Sequence, residues 1–170
     1  MPNSSNPIEH LPNSDWCFVC GEENQAGLQT RFYVEGNCVK TKLVAREHHC
    51  GYKNTIHGGI VAAVIDECMG WAAARAIGRL CLTAELTIRY LGAVPDNQEL
   101  TVSTEVVKAN RRLVAAKGEI RGSDGEVYAR AEGKFTPLSP EETLDVDGQL
   151  NYRGDELRIF DHLRKSAKDS

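Results

Sequence analysis

The chain has 170 residues, enough for one domain with tails and a sizeable buried core. With 41% hydrophobic residues and a net charge of −4, it has the composition of an ordinary globular protein and offers no positive surface for nucleic acid or anionic membrane. No basic run exceeds Arg111-Arg112 or Arg164-Lys165, and no apolar run reaches the roughly 18 residues of a membrane span. The composition points instead to a small-molecule or protein partner.

Met1 to Asp15 is polar, rich in Pro, Asn and Ser, and lacks the apolar middle of a signal peptide. Residues 1–15 read as a flexible arm, and a cytoplasmic chain with free thiols is expected. Cys17-Phe18-Val19-Cys20-Gly21 forms a CxxC knuckle. Zinc needs four ligands, and the knuckle supplies two. His48, His49 and Cys50 could supply the rest but sit in a loop before a glycine pair, and no βαβ pattern suggests a redox pair. The reading is a structural knuckle with no metal.

Leu28 to Val34 alternates apolar and polar residues, Glu35-Gly36-Asn37 is a turn, and Val39, Thr41 and Leu43 resume the alternation, so a hairpin is expected. Ala45 to Ile56 reads as an irregular loop. A helix follows from Gly58 to Ile77, apolar on nearly every side and ended by Gly78. Two carboxylates, Asp66 and Glu67, stand in its middle, where an acid must be paired, hydrogen-bonded or used. Leu82, Ala84, Leu86, Ile88 and Tyr90 then alternate with Thr83, Glu85, Thr87 and Arg89 as a strand.

Leu100 to Val106 makes the next strand, Lys108 to Arg112 a polar link, and Leu113–Arg121 and Val127–Phe135 a second hairpin. Beyond Pro137 an extension over 137–170 is acidic to Asp155, then places Leu157, Phe160 and Leu163 at helical spacing, as in a short helix. Two strands, one long helix and four strands give an α+β architecture. A curved antiparallel sheet of about six strands should wrap the helix, and its open edge calls for a second subunit.

His57-Gly58-Gly59 opening the helix, Asp66 nine positions after the histidine, the strand Thr83 to Tyr90, and the start Cys17-Phe18-Val19-Cys20-Gly21 with Asn24 and Gly27-Leu28 resemble one family. It is the hotdog-fold acyl-CoA thioesterases of the phenylacetate-pathway (PaaI-like) type. The resemblance covers residues 16–136 and implies a hotdog domain there, an acyl-CoA substrate, no cofactor, and a homodimer or a homotetramer built as a dimer of dimers. It assigns the Gly58 N–H to the thioester carbonyl and Asp66 as nucleophile or general base. An asparagine that the family often carries six positions before the histidine is replaced here by Gly51, which leaves Thr83 to place the water or the acid.

The residues support this chemistry. A helix N-terminus offers free N–H groups and partial positive charge to an oxyanion, and glycine lets the carbonyl come close. A carboxylate in apolar surroundings gains basicity. Gly58 and Asp66 are eight positions apart, about 12 Å along a helix, so both can serve one carbonyl only if they come from different subunits. Asp66 is favoured over Glu67, which is expected to pair with Arg75 or Arg89. His57 and Gly59 should shape the turn at the substrate; Lys108, Asn110, Arg111 and Arg112, with Arg89, are candidates for the phosphates of coenzyme A. Two rival functions remain, a hotdog hydratase or dehydratase and a non-catalytic acyl-CoA-binding domain. The former would need a histidine beside the helix acid, and none follows before His162.

Overall fold

The computed structural model describes residues 7–168. A hairpin of β2 (Phe32–Glu35) and β3 (Cys38–Val44) turns through Gly36-Asn37, and Gly36 takes a positive φ of 61°. The long helix α1 (Gly58–Ile77) follows, and Gly78 ends it in the left-handed conformation at φ 69°. Four antiparallel strands complete the body: β6 (Cys81–Tyr90), β7 (Glu99–Ala109), β8 (Val114–Gly122) and β9 (Val127–Pro137). With β1 (Glu9–His10) they form a seven-stranded sheet in the order β1-β2-β3-β7-β8-β9-β6. The expected α+β arrangement is present, with a seventh strand added.

Helix α1 packs on β7 and β8 and also meets β3, β6 and β9. Val61, Val64, Ile65, Cys68 and Met69 are buried under it with Phe32, Val39, Leu100, Val102 and Phe135. Two strand glycines set the close approach. A Cβ on Gly118 would come within 3.1 Å of Ile65 Cγ2, and one on Gly133 within 3.1 Å of Met69 Cε. Fully burying a side chain of the size of Ile65 or Met69 is worth about 1.5–3 kcal/mol. The helix is therefore fixed firmly on its acid-bearing middle.

The first strand is shorter than its alternation suggests. Gln29 has φ 51°, and Leu28 and Thr30 donate their N–H groups to the knuckle carbonyls of Phe18 and Val19, so this part of the run is spent holding the knuckle. The loop over 45–56 contains a 3-10 turn, Glu47–His49, and a small hairpin of β4 (Cys50–Tyr52) and β5 (Thr55–Ile56). Its turn residue Asn54 has φ 59°.

The terminal segments differ most from expectation. Residues 9–13 are no arm: Glu9 and His10 pair with Val34 and Tyr33, Leu11 is fully buried, and Asn13 bridges to Asn151. Residues 1–6 lie outside the described residues. The acidic extension holds a helix, α2 (Pro140–Asp147), started by a capping box between Ser139 and Glu142 with proline in its first turn. The sequence Ser139-Pro140-Glu141-Glu142 carries that signal in polar residues, without apolar periodicity. The expected last helix is α3 (Asp161–Lys168); Leu157 and Phe160 precede it, and Phe160 is fully buried. Arg153 and Arg31 both pair with Glu22, and Arg31 also with Glu156. These ion pairs tie the extension to the loop after the knuckle.

Candidate active site

The helix begins as the sequence implies. His57 is its N-cap, and its Nδ1 accepts the Gly59 N–H at 2.9 Å. The Ile60 and Val61 N–H groups both reach the His57 carbonyl. His57 satisfies the neighbouring Gly59 donor, while among the described residues the Gly58 N–H has no acceptor. Tyr90, at the end of β6, donates its hydroxyl to the Gly58 carbonyl at 2.6 Å. A Cβ on Gly58 would lie 3.3 Å from that hydroxyl, so a bare glycine suits the position.

Two turns further on, Asp66 is half-buried and accepts the Thr83 hydroxyl, 3.0 Å from Oδ1 and 3.2 Å from Oδ2. Burial pushes the Asp66 carboxyl above its ordinary value, and the Thr83 hydrogen bond partly restrains that shift. Thr83 reaches the helix through an irregularity the alternation does not show. The pairing of β6 with β9 slips between Thr83 and Glu85, so Thr83 opposes Phe135 while Leu86, Ile88 and Tyr90 oppose Gly133, Ala131 and Ala129. The bulge places Thr83 on the helix side with the even-numbered residues, not on the face opposite them. Leu82 is left 62% exposed.

A cavity of about 280 Å³ opens here, bounded by Asp66, Thr83, Gly70 and Trp71. Cys17 and Cys20 of the knuckle and Glu67 close one side, and Val146 and Leu150 of the C-terminal extension form part of its wall. The lining includes no histidine. The wall from the extension was invisible in the sequence, where that segment shows little apolar periodicity.

Glu67 turns away from Asp66. Its Oε2 accepts the Cys17 Sγ–H at 3.0 Å, and it makes no ion pair with Arg75 or Arg89. Burial, followed by the charge of Cys17, pushes the Glu67 carboxyl up to about 8. Arg75 instead donates to the Gly36 carbonyl. Arg89 opposes Arg130 and lines a separate cleft of about 880 Å³ on the sheet, so it is not brought to Asp66. His48, His49 and Cys50 do not join the knuckle in any group of metal-type donors among the described residues.

Asn110, Arg111 and Arg112 form the exposed link between β7 and β8. The Asn110 side-chain oxygen accepts the Arg112 and Leu113 N–H groups, and Arg79 donates to the Arg111 carbonyl. Val114, just past this link, opposes Phe135, which opposes Thr83. The link therefore stands at the Thr83 end of the sheet, within about 10 Å laterally at the usual strand spacing. Asn110 is committed to the turn; the two arginine side chains are exposed. Gly51, against the His57 ring, brings no polar side chain to the helix start.

No helix of the described residues is long and apolar enough to cross a membrane. Residues 53–129 match the family model described as the Thioesterase superfamily. A curated protein of Archaeoglobus fulgidus named "Putative esterase" is 26% identical over 94 residues, 55% of this chain and 60% of that protein. A Pseudomonas aeruginosa protein of the same designation is 25% identical over 120 residues, 69% of this chain and 81% of that one. Among solved structures, a thioesterase superfamily protein aligns with a TM-score of 0.67 at 27% identity over 72% of this chain and 60% of its own. A hypothetical thioesterase of Streptococcus pneumoniae, solved with coenzyme A, has a TM-score of 0.57 at 20% identity over 61% of this chain and 82% of its own, a likeness of fold. The aligned part thus spans about 60% of the first curated relative and of the first solved neighbour.

Proposed function

We propose that the chain, whose residues 53–129 match the Thioesterase superfamily model, is an acyl-CoA thioesterase of the PaaI-like type on a hotdog fold, releasing a carboxylic acid and free coenzyme A. The observation that carries this reading is the Thr83 hydroxyl bound to both oxygens of a half-buried Asp66 beside a cavity. Asp66 attacks the thioester carbonyl or takes the proton of a water that does so. The Gly58 N–H of a second subunit receives the negative charge developing on the carbonyl oxygen. Collapse of the tetrahedral intermediate expels the coenzyme A thiolate, which takes up a proton; where Asp66 is the nucleophile, water then cleaves the acyl–Asp66 anhydride, releasing the acid and restoring the carboxylate. The coenzyme A found in the S. pneumoniae neighbour agrees with the choice of thioester.

The subunit requirement follows from the helix. It runs unbroken through both groups, so Gly58 and Asp66 stay about 12 Å apart within one chain. Strand β6 forms an edge of the sheet, ten residues long, with Leu82 and Tyr90 exposed. Such an edge pairs readily with another strand. The helix side bearing Gly59, Ala63, Asp66 and Gly70 is not closed off by the described chain and carries small residues that admit a neighbouring helix. A homodimer with antiparallel helices would bring each Gly58 toward the partner's acid. The outer-sheet cleft, where Lys117 and Arg130 face Glu105 and Glu119, has the mixed charge that suits a dimer of dimers.

Arg111 and Arg112, exposed on the link at the Thr83 end of the sheet, are the cations offered to the phosphates of coenzyme A. Changing both to alanine should raise KM about fivefold with kcat unaltered, and added salt should shrink the difference between the two proteins. Steady-state kinetics at two ionic strengths checks this. Thr83→Val removes a hydrogen bond to the ionised acid, so kcat should fall about tenfold. Because that bond holds the Asp66 carboxyl down, the acidic limb of the pH–rate profile should move to higher pH in the variant. A profile that does not move would assign Thr83 to structure alone.

Product identity tests the reaction class. Hydrolysis gives equal amounts of acid and free coenzyme A, detectable by mass spectrometry. A hydratase would change the acyl chain by one water and keep the thioester, and a binding domain would change nothing.

A further inference from the structure

The knuckle and the second helix acid remain outside the mechanism. From their geometry we infer that Cys17, Cys20 and Glu67 form a binding site for a zinc-class divalent cation, with one coordination position open toward the cavity beside Asp66. The inference does not depend on the hydrolase reading.

Glu67 is the ligand that spacing along the chain does not reveal, since it comes from a helix fifty positions beyond Cys17. The two sulfurs and one Glu67 oxygen all lie within 4.8 Å of one another, and Cys17 Sγ is 3.0 Å from Oε2. Donors about 2.0–2.3 Å from a common tetrahedral centre stand about 3.6 Å apart, so modest side-chain adjustment would bring the three to coordination distance.

The backbone around the knuckle is shaped for anionic sulfur. The N–H groups of Val19 and Cys20 both point at Cys17 Sγ, at 3.3 and 3.4 Å, and the Gly21 N–H closes the turn on the Cys17 carbonyl at 2.9 Å. A Cβ on Gly21 would sit 2.3 Å from that carbonyl oxygen, so glycine is needed to hold the two sulfurs on one side. Cys20 is 3% exposed and Glu67 lies mostly inside the cavity wall.

What this cluster lacks is positive charge. No lysine, arginine or histidine forms an ion pair with Glu67 among the described residues, whereas Glu22, Glu156 and Asp147 all have arginine partners. A divalent cation would displace the proton between Cys17 and Glu67 and supply the positive charge that holds the two sulfurs as thiolates. The mixed sulfur and oxygen set suits zinc rather than magnesium or calcium, which take all-oxygen sites. Three protein ligands leave a fourth position for water or another ligand, as in zinc sites that are not fully closed by protein. All three residues line the cavity that Asp66 and Thr83 share, so that position is reachable from it.

The test uses the full chain, purified under reducing conditions and analysed for metal, then stripped and titrated with cobalt(II). About one equivalent of zinc per chain is expected, with thiolate-to-cobalt charge-transfer absorption that saturates at one equivalent. Cys17→Ser and Cys20→Ser should lose that absorption, and Glu67→Gln should weaken zinc binding by an order of magnitude or more. The wild-type titration needs no variant to fold. Absence of the charge-transfer band with both thiols verified as reduced would overturn the site. A band and affinity unchanged in Glu67→Gln would overturn the three-ligand set.

Discussion

Asparagine in place of Asp66 is expected to lower kcat for acyl-CoA hydrolysis by about two to four orders of magnitude, the usual worth of a positioned acid or base, with circular dichroism and subunit assembly unchanged. Asparagine keeps an oxygen for the Thr83 hydroxyl, so the local hydrogen bond survives while the negative charge is lost. The substitution should also show what the acid costs the fold. Burial raises the Asp66 carboxyl above its unfolded value, so the native state holds this proton more tightly than the unfolded chain does. Stability is then greatest below the ordinary carboxylate range and declines as pH rises through the raised value. An uncharged asparagine escapes that decline. At neutral pH the variant should melt at a temperature at least as high as the parent, and the difference should close as pH falls to the ordinary range. Full turnover in the variant would remove Asp66 from the chemistry.

Mixing two inactive proteins should restore activity. Gly58→Pro removes the free N–H at the first helical position, where proline is otherwise accepted after the extended His57 backbone, and the Tyr90 hydroxyl, 3.3 Å from the added Cβ, must give slightly. Loss of that donor should cost about two to three orders of magnitude in kcat. When Gly58→Pro and Asp66→Asn subunits exchange, each mixed dimer contains one site with both groups intact. With random pairing, half the dimers are mixed and one of their two sites works, so about a quarter of the parent activity should return. Subunit exchange shown by mass difference, without recovery of turnover, would place Gly58 and Asp66 in separate roles.

The features that can be read from the sequence are those governed by local spacing. Helix α1 lies where the glycine pair and Gly78 place it, and the hairpin turns fall at Gly36-Asn37 and near Gly125, because both depend on nearby residues. Features that depend on distant segments were out of reach. The bulge that swings Thr83 toward Asp66 is a matter of register with β9, and alternation alone puts that side chain on the wrong face. Pairing of β1 with β2 needs only two residues, too few to leave a period. The Cys17–Glu67 approach and the cavity wall from Val146 and Leu150 join parts of the chain that no motif links. Arg89 fails for a related reason: it follows the alternation correctly, but the face it lies on is the outer one.

Hydrolysis of an acyl-CoA at Asp66 is the proposed activity of this chain. The most direct measurement is continuous release of free thiol by the purified protein over short, long and aromatic acyl-CoAs. Saturable release with at least one of these classes is expected. No release above the spontaneous rate across the whole panel, from a preparation shown by calorimetry to bind coenzyme A, would contradict it.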